Sequence, residues 1–260
     1  MSHIYDQKFF KWVTRTACTS ARIMLPIVRQ AVDTQSVVDV GCGQGGWLSI
    51  WNEMGLLDVC GHDGSYVDTT SLLIASERFI ACNLERPLPV GRRFGLAQCL
   101  EVAEHLPPSA AEGLVDSLCK FSDVVLFSAA QPGQGGERHI NERRPSYWAH
   151  LFLNHGYFPF DCVRPHLADK KSVSPWYRYN PIIFANPEGI RRLSPAARAL
   201  QCYNMADLDS AGDLAWRFRL LLLRPLPVGV VSWLSRLHYR LAMVLPLLHN
   251  WRIIYSDDNA

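Results

Sequence analysis

The chain has 260 residues, of which 48% are hydrophobic and 19% are charged, and its formal net charge is +2. This length allows one α/β domain with an appendage, and the composition is that of a globular protein. A nearly neutral charge supplies no global field for nucleic acid. Eight cysteines without a C-x-x-C pair favour reduced core thiols over a disulfide framework or a zinc site. The N-terminus lacks a basic start before an apolar stretch, so we expect no signal peptide and a cytoplasmic protein.

Residues 1–31 are predicted to form a helical cap. Apolar residues recur among Lys and Arg from about residue 6, and Pro26 interrupts the pattern. Because proline lacks the N–H that a helix interior needs, we expect two short amphipathic helices ahead of the first strand. They would cover the ligand side of the domain.

The segment 37–48, Val-Val-Asp-Val-Gly-Cys-Gly-Gln-Gly-Gly-Trp-Leu, organises the rest of the chain. A β-branched run breaks into closely spaced glycines and continues with helical periodicity, which predicts a strand, a tight turn and a helix N-terminus. Such a turn presents backbone N–H groups to a ligand. The glycines satisfy both the dinucleotide pattern G-x-G-x-x-G and the pattern G-x-G-x-G. Asp39, two residues before the first glycine, favours a cationic ligand group over a pyrophosphate.

Residues 39–45, Asp-Val-Gly-Cys-Gly-Gln-Gly, resemble motif I of the class I S-adenosylmethionine (SAM)-dependent methyltransferases. The ammonium of SAM is such a cationic group. The resemblance implies a doubly wound, Rossmann-like α/β fold whose sheet has seven strands, the last one antiparallel. It implies that the following residues contact SAM: Asp39, Gly41, Cys42, Gly43, Gly45 and Trp47.

A second predicted strand, 57–63, ends in an acid. Asp63 follows Gly43 by 20 positions, the spacing that one helix and one strand require. In the family an acid at this place accepts both ribose hydroxyls, because a carboxylate has two oxygens. A turn-forming aspartate before Gly64 is the structural alternative. Ser65 and Tyr66 would extend along the adenosine.

The third predicted strand, 79–82, runs into Asn83 and Leu84. The family often has Asp-Leu here, and the acid binds the exocyclic amine of adenine. In this chain an amide replaces the acid, and its carbonyl oxygen can still accept a hydrogen bond.

The fourth predicted strand, 94–100, ends with Leu100, which we expect to touch the cofactor, and is followed by Glu101. Glu101, Glu104 and His105 are close enough in sequence to converge on one point. Many methyltransferases carry a similar E-x-x-E-H without a metal. Two groups, the ubiquinone-pathway O-methyltransferases and the small-RNA terminal ribose 2′-O-methyltransferases, hold a divalent cation there with a further histidine after the fifth strand.

His139 has a position that resembles this further histidine, since it lies between a predicted strand, 124–127, and a predicted helix, 145–155. Two carboxylates and two imidazoles suit Mg²⁺, Mn²⁺ or Zn²⁺, which would lower the pKa of a substrate hydroxyl. The predicted metal ligands are therefore Glu101, Glu104, His105 and His139. A metal-free site remains equally open, with His139 as general base and Glu104 and His105 as a structural pair.

Two further predicted strands, 158–163 and about 176–185, complete a SAM-binding domain of residues 32–187. Residues 188–260 are predicted to be a helical extension, with one helix at 191–201. Residues 214–255 contain six arginines among Trp and Leu and no acid, and their charge-free runs are too short to span a bilayer. We expect this extension to pack on the core or to form a homodimer; contact with an anionic membrane surface is the alternative.

The sequence thus predicts a SAM-dependent methyltransferase acting on oxygen of a small molecule, such as a sugar or a natural-product intermediate. Residues 131–136 and 139–142 resemble those of enzymes in bacterial glycan and secondary-metabolite pathways. An N-methyltransferase and a non-catalytic SAM-binding scaffold or regulatory protein are the alternatives, although the intact acids and histidines count against a scaffold. Nucleic acid is disfavoured because the core lacks a dense basic stripe with interleaved aromatics.

Overall fold

One sheet of seven strands runs through the protein, in the order β3-β2-β1-β4-β5-β7-β6. In the computed structural model, residues 7–227, 229–231 and 233–234 are described, with side chains from residue 14 onward. The strands are β1 (Ser36–Val40), β2 (Asp58–Asp63), β3 (Phe79–Ala81), β4 (Leu96–Leu100), β5 (Val124–Ser128), β6 (Phe158–Phe160) and β7 (Ile182–Ala185). Strands β1 to β5 pair in parallel, whereas β7 is antiparallel to both neighbours. The predicted seven-stranded sheet with an antiparallel last strand is confirmed.

Helices cover both faces of this sheet. They are α1 (Gln7–Ala31), α2 (Gly46–Glu53), α3 (Ala111–Phe121), α4 (Pro145–Asn154), α5 (Arg164–Leu167), α6 (Pro175–Tyr179), α7 (Pro187–Ile190), α8 (Pro195–Arg198) and α9 (Leu214–Leu223). Because successive strand residues point to opposite faces, Val37 packs with α1 and α2, whereas Val38 packs with α3 and α4. The two buried cores place the carboxyl ends of β1, β2, β4 and β5 along one edge.

The N-terminal cap is one continuous helix, so the prediction of two helices divided at Pro26 is wrong. Pro26 is solvent-exposed, and Arg22, whose carbonyl would have accepted the missing N–H, is exposed as well. Water can therefore satisfy that carbonyl, and the helix continues. An ion pair between Arg22 and Glu53 joins α1 to α2.

Two further predictions fail where prolines start short helices. Residues 175–179 form α6 instead of the first half of a strand, because Pro175 occupies the first helical position, where its missing N–H is harmless. In the range 191–201, where a single helix was predicted, the structure has only the one-turn helix α8, and another one-turn helix, α7, precedes it. Their N-terminal residues, Asn186 and Ser194, cap them with side-chain oxygens. Leu193, between the two helices, forms a bridge with Val32.

The extension after residue 187 contacts the sheet before it reaches α9. Gln201 forms an isolated bridge with Phe160 at the end of β6. The predicted helical character of the acid-free segment is confirmed for α9, and residues 235–255 of that segment lie outside the described residues. Within the described part of the chain, no helix combines the length and apolarity needed to cross a bilayer.

Candidate functional site

The turn between β1 and α2 has the backbone shape that the glycine motif predicts. Gly41, Gly43 and Gly45 have φ of 83°, 54° and 81°, in the left-handed region that favours glycine. A Cβ on Gly41 would lie 2.2 Å from Cγ2 of Val102, so this position is closed by packing. A Cβ on Gly43 would meet no atom within 4 Å. The turn is thus packed against the protein at Gly41 and has free space beside Gly43, as a ligand-binding turn requires.

Asp39 lies at the end of β1 and is almost completely buried. Its Oδ2 atom has no hydrogen-bond partner among the described residues. Burial is the main cause that raises the pKa of Asp39 to about 7; the Gln98 side chain partly offsets it, and the Asp63 charge adds to it. A buried, unpaired carboxylate oxygen beside the glycine turn fits the ammonium of SAM.

Asp63 ends β2 and faces the same turn. Its Oδ2 accepts the Gly43 N–H at 2.6 Å, and its Oδ1 accepts the Gly64 N–H at 2.6 Å and the Tyr66 hydroxyl at 2.5 Å. The Tyr66 ring is largely exposed and lies over Gly64, where a Cβ would be only 2.1 Å from the ring. The Tyr66 hydroxyl therefore holds one acceptor position that a ribose hydroxyl would need.

The remaining predicted SAM contacts fall into two groups. Asn83 and Ser65 are exposed at the sheet edge. The side-chain oxygen of Asn83 accepts the Glu85 N–H at 3.0 Å and so stabilises a local turn. The other four side chains are buried in the hydrophobic cores: Cys42, Trp47, Leu84 and Leu100. Trp47 packs edge-on against Tyr177, with ring centroids 4.9 Å apart. Burial raises the pKa of the Cys42 thiol, which is consequently inert.

Glu101 follows β4 in a strained backbone conformation, with φ of 56°. Its carboxylate accepts Gln134 Nε2 at 2.8 Å and Asn180 Nδ2 at 3.0 Å. Asn180 also donates to the Gln134 carbonyl oxygen at 2.9 Å. Burial raises the pKa of Glu101, while the Asn180 and Gln134 hydrogen bonds act in the opposite direction. Glu101 is therefore held by amides and stands apart from the other three predicted metal ligands.

Glu104, His105 and His139 form one cluster, in which ligand atoms from the three side chains lie within 4.8 Å of one another. Glu104 and His105 occupy a 3₁₀ turn, Ala103–His105, after β4. The carbonyl oxygen of Glu104 accepts the N–H groups of Ile140 at 2.9 Å and Asn141 at 3.0 Å, which brings the His139 loop to this turn. The His105 and His139 rings meet edge to face at 4.8 Å.

The donor chemistry of this cluster suits a divalent cation. Glu104 is fully buried, and its Oε2 has no hydrogen-bond partner among the described residues. Burial, followed by the nearby Glu101, raises the pKa of Glu104 well above its usual range. His105 is the exposed member of the cluster. Partial loss of hydration, followed by the adjacent His139, lowers its pKa and favours the neutral imidazole that binds metals. One carboxylate and two imidazoles fit Mn²⁺ or Zn²⁺ in particular.

Glu142 was not predicted, yet it orients His139. Its Oε1 lies 2.9 Å from His139 Nδ1, and both side chains are buried. The same carboxylate accepts the N–H groups of Gly133 at 3.0 Å and Gly135 at 2.8 Å. A metal-binding histidine commonly has such a carboxylate on its second ring nitrogen. The spacing His-x-x-Glu on a glycine-rich loop was the signal available in the sequence.

Helix α9 of the C-terminal extension packs on this loop. Arg219 in α9 donates through Nη2 to the carbonyl oxygen of Gln134 at 2.9 Å. A Cβ on Gly133 would lie 2.9 Å from backbone atoms of both Leu220 and Arg224. The convergence of Gln134, Asn180 and Arg219 was not predictable, because these residues come from three separate segments.

A cleft of about 340 Å³ opens beside Glu142. Arg143, Arg144, Tyr147 and His150 are among the residues that line it. Its volume is within the usual range for small-molecule sites. The cleft can accept a polar molecule next to the pair formed by His139 and Glu142.

No family model matches the sequence, and no curated protein matches it. Solved structures do: a glycopeptide N-methyltransferase complexed with sinefungin is 16% identical over 44% of this chain, with a TM-score of 0.37. This chain spans 54% of that protein's length. Magnesium protoporphyrin IX methyltransferase from Synechocystis with bound SAH is 16% identical over 67% of this chain and 82% of its own, with a TM-score of 0.47.

A third similar structure is the methyltransferase domain of bacterial CtHen1-C, which is 17% identical over 67% of this chain and 98% of its own, with a TM-score of 0.46. Independently of these likenesses, the strand order, the reversed β7 and the glycine turn between two acids are observed directly. By these features the chain has the fold of the class I SAM-dependent methyltransferases.

Proposed function

We propose that this protein is a SAM-dependent O-methyltransferase of a small hydroxylated molecule, assisted by a divalent cation at Glu104, His105 and His139. The observation that carries the proposal is the buried Glu104 Oε2 atom, which lacks a hydrogen-bond partner within a cluster of metal-binding side chains. An unpaired buried carboxylate is unfavourable by itself. A bound cation would offset that penalty.

The glycine turn and its two acids would bind the cofactor. Asp39 would pair with the ammonium of SAM, and the open side of Gly43 would accept its chain. Asp63 would receive the ribose after the Tyr66 hydroxyl moves away. When bound, SAM supplies a methyl group on a cationic sulfur, which an oxygen nucleophile can attack.

The acceptor hydroxyl would enter from the cleft beside Glu142. A cation at the cluster would lower the pKa of that hydroxyl. Glu142 fixes the His139 ring through Nδ1, so that only Nε2 remains for a ligand. Glu101 keeps Gln134 and Asn180 in place and thereby supports the loop that carries His139.

A metal-free O-methyltransferase is the second candidate, and the pair formed by His139 and Glu142 favours it. In this version His139 removes the proton from the acceptor, and Glu142 stabilises the imidazolium that forms. Glu104 would then stay protonated in its buried position, in line with its raised pKa.

Metal removal separates the two candidates. Protein treated with EDTA and dialysed would be tested with a panel of sugars and phenols, with S-adenosylhomocysteine release as the readout. If the cation takes part, we expect methyl transfer to be lost in EDTA and to return when Mn²⁺ is added. The SAM affinity, measured by calorimetry, should stay within about twofold of that of the untreated protein. We also expect His139→Ala to abolish Mn²⁺ binding and transfer together.

His166→Ala is the matched control, because His166 is exposed on α5 and outside the cluster. Full transfer in chelator would establish the metal-free version. Absence of SAM binding by the untreated protein would refute both versions.

A further inference from the structure

Helix α9 presents two different apolar faces. Trp216 and Leu220 are buried against the core, where Trp216 packs on Tyr179 with ring centroids 5.6 Å apart. At 100° per residue, the exposed apolar side chains lie on the opposite side of the helix, within an arc about 100° wide. These side chains, with their exposed fractions, are Leu214 (82%), Phe218 (60%), Leu221 (67%) and Leu222 (55%). We call them the outer face of α9.

Basic residues border this outer face. Arg217 and Arg224 are exposed and lie along one edge of the stripe. Asp213, at the start of the helix, is already engaged by the Tyr179 hydroxyl at 2.8 Å and the Trp216 N–H at 2.8 Å. Residues 214–255 contain six arginines and no acid. The surface is thus apolar at its centre and purely cationic at its edge.

We infer that the outer face of α9 docks on the surface of an anionic lipid bilayer. Phe218, Leu221 and Leu222 enter the boundary between headgroups and acyl chains, while Arg217 and Arg224 reach the phosphates. A symmetric dimer through the same face would bring arginines of both copies together without an acid to pair with them. Anionic lipid satisfies both the apolar stripe and the charge.

The docking surface is close to the candidate site. The buried side of α9 contacts Gly133 and Gln134, in the loop that also carries His139 and Glu142. Docking would therefore hold this loop near the lipid surface. The inference itself rests on the outer face and does not require the proposed reaction.

Vesicle flotation of the full chain tests this inference. The protein is mixed with vesicles of phosphatidylcholine alone, or with 30% phosphatidylglycerol, at low and high salt. We expect flotation with the anionic vesicles at low salt, and weaker flotation at high salt because screening weakens the arginine contribution. Phe218→Ser combined with Leu222→Ser should reduce the partition coefficient by roughly tenfold or more. Arg217→Gln combined with Arg224→Gln should reduce it by a similar factor, on anionic vesicles only.

Leu57→Ser is the matched control, since Leu57 is 71% exposed but precedes β2 at the opposite edge of the sheet. All variants should keep the thermal midpoint and the SAM affinity of the wild type, which separates lost docking from misfolding. The inference is overturned if the wild type does not float, or if the Phe218/Leu222 variant floats as well as the wild type. It is also overturned if light scattering shows a dimer that this variant converts to monomers without any lipid binding.

Discussion

Two regions occupy the same edge of the sheet but are built differently. After the roles proposed above, we call residues 39–66 the cofactor corner and residues 101–142 the acceptor side. In the corner, Asp63 is held by backbone N–H groups of Gly43 and Gly64, no more than 20 positions away. On the acceptor side, Glu101 is held by side chains 33 and 79 positions away. The corner is thus a local motif, whereas the acceptor side exists only after the whole sheet has assembled.

The largest expected effect separates two glycines within the corner. Gly41→Ala should destabilise the protein by about 4 kcal/mol, because its Cβ would overlap Val102 and its φ is in the left-handed region. Gly43→Ala should cost only about 1 kcal/mol of stability but should abolish SAM binding, since its Cβ would enter the ligand space. Urea unfolding and calorimetry measure the two effects. Equal loss of stability in both variants would contradict the division into a closed and an open side.

The next effect tests the long-range network. Asn180→Ala should destabilise the protein by about 3 kcal/mol, because it removes three hydrogen bonds, to Glu101, Gln131 and Gln134. Transfer should fall while SAM affinity stays near that of the wild type. Asn83→Ala, after β3, is the control and should cost no more than about 1 kcal/mol, since Asn83 is exposed. Loss of SAM affinity in Asn180→Ala would mean that the two regions are not separable.

Asp39 gives the corner its own pH dependence. Its pKa of about 7 in the folded protein lies above the usual value of an aspartate, so the folded state holds a proton that the unfolded state releases between about pH 4 and pH 7. The free energy of unfolding should therefore fall as pH rises through this window and level off above pH 7. Asp39→Asn should raise stability at pH 8 by about 2–3 kcal/mol and abolish SAM binding. A variant whose stability has the same slope with pH as the wild type would refute this account.

Asp63 and Tyr66 test the ribose role. Asp63→Ala should weaken SAM binding by about 1–3 kcal/mol, because two charge-assisted hydrogen bonds are lost. Tyr66→Phe should leave the affinity unchanged or strengthen it by up to about 1 kcal/mol, since no hydroxyl then has to leave Asp63. Calorimetry at constant pH measures both. Weaker binding in Tyr66→Phe would instead make this hydroxyl a direct ligand of SAM.

The smallest effect compares the two sides of α9. Arg219→Ala should cost about 1 kcal/mol of stability and should slow transfer, because its hydrogen bond to the Gln134 carbonyl supports the loop that carries His139. Arg217→Ala, on the exposed side, should change the stability by less than about 0.5 kcal/mol. Thermal unfolding without lipid measures both variants. An unchanged rate of methyl transfer in Arg219→Ala would show that the loop carrying His139 keeps its conformation without the Arg219 hydrogen bond.

The sequence by itself determined the features whose physical cause is local. The β-branched run, the spaced glycines and the following helix specify the corner, because each conformation depends on neighbouring residues. The spacing of Asp63 from Gly43 followed from one helix and one strand. A continuous apolar run in β5 indicated a strand that is buried on both faces of the sheet. The resemblance supplied the seventh, reversed strand.

Tertiary structure decided what depends on contacts between distant segments. Pro26 is tolerated in one long helix because its side of α1 faces solvent, and periodicity alone does not show which side that is. Residues 176–179 were predicted to be part of a strand but form α6, where Tyr177 packs on Trp47 of α2. The amides around Glu101 meet only when β4, the loop after β5 and the segment before β7 pack side by side. Their partners are chosen by the assembled sheet, because hydrogen bonds between buried side chains form wherever the fold brings donors and acceptors together.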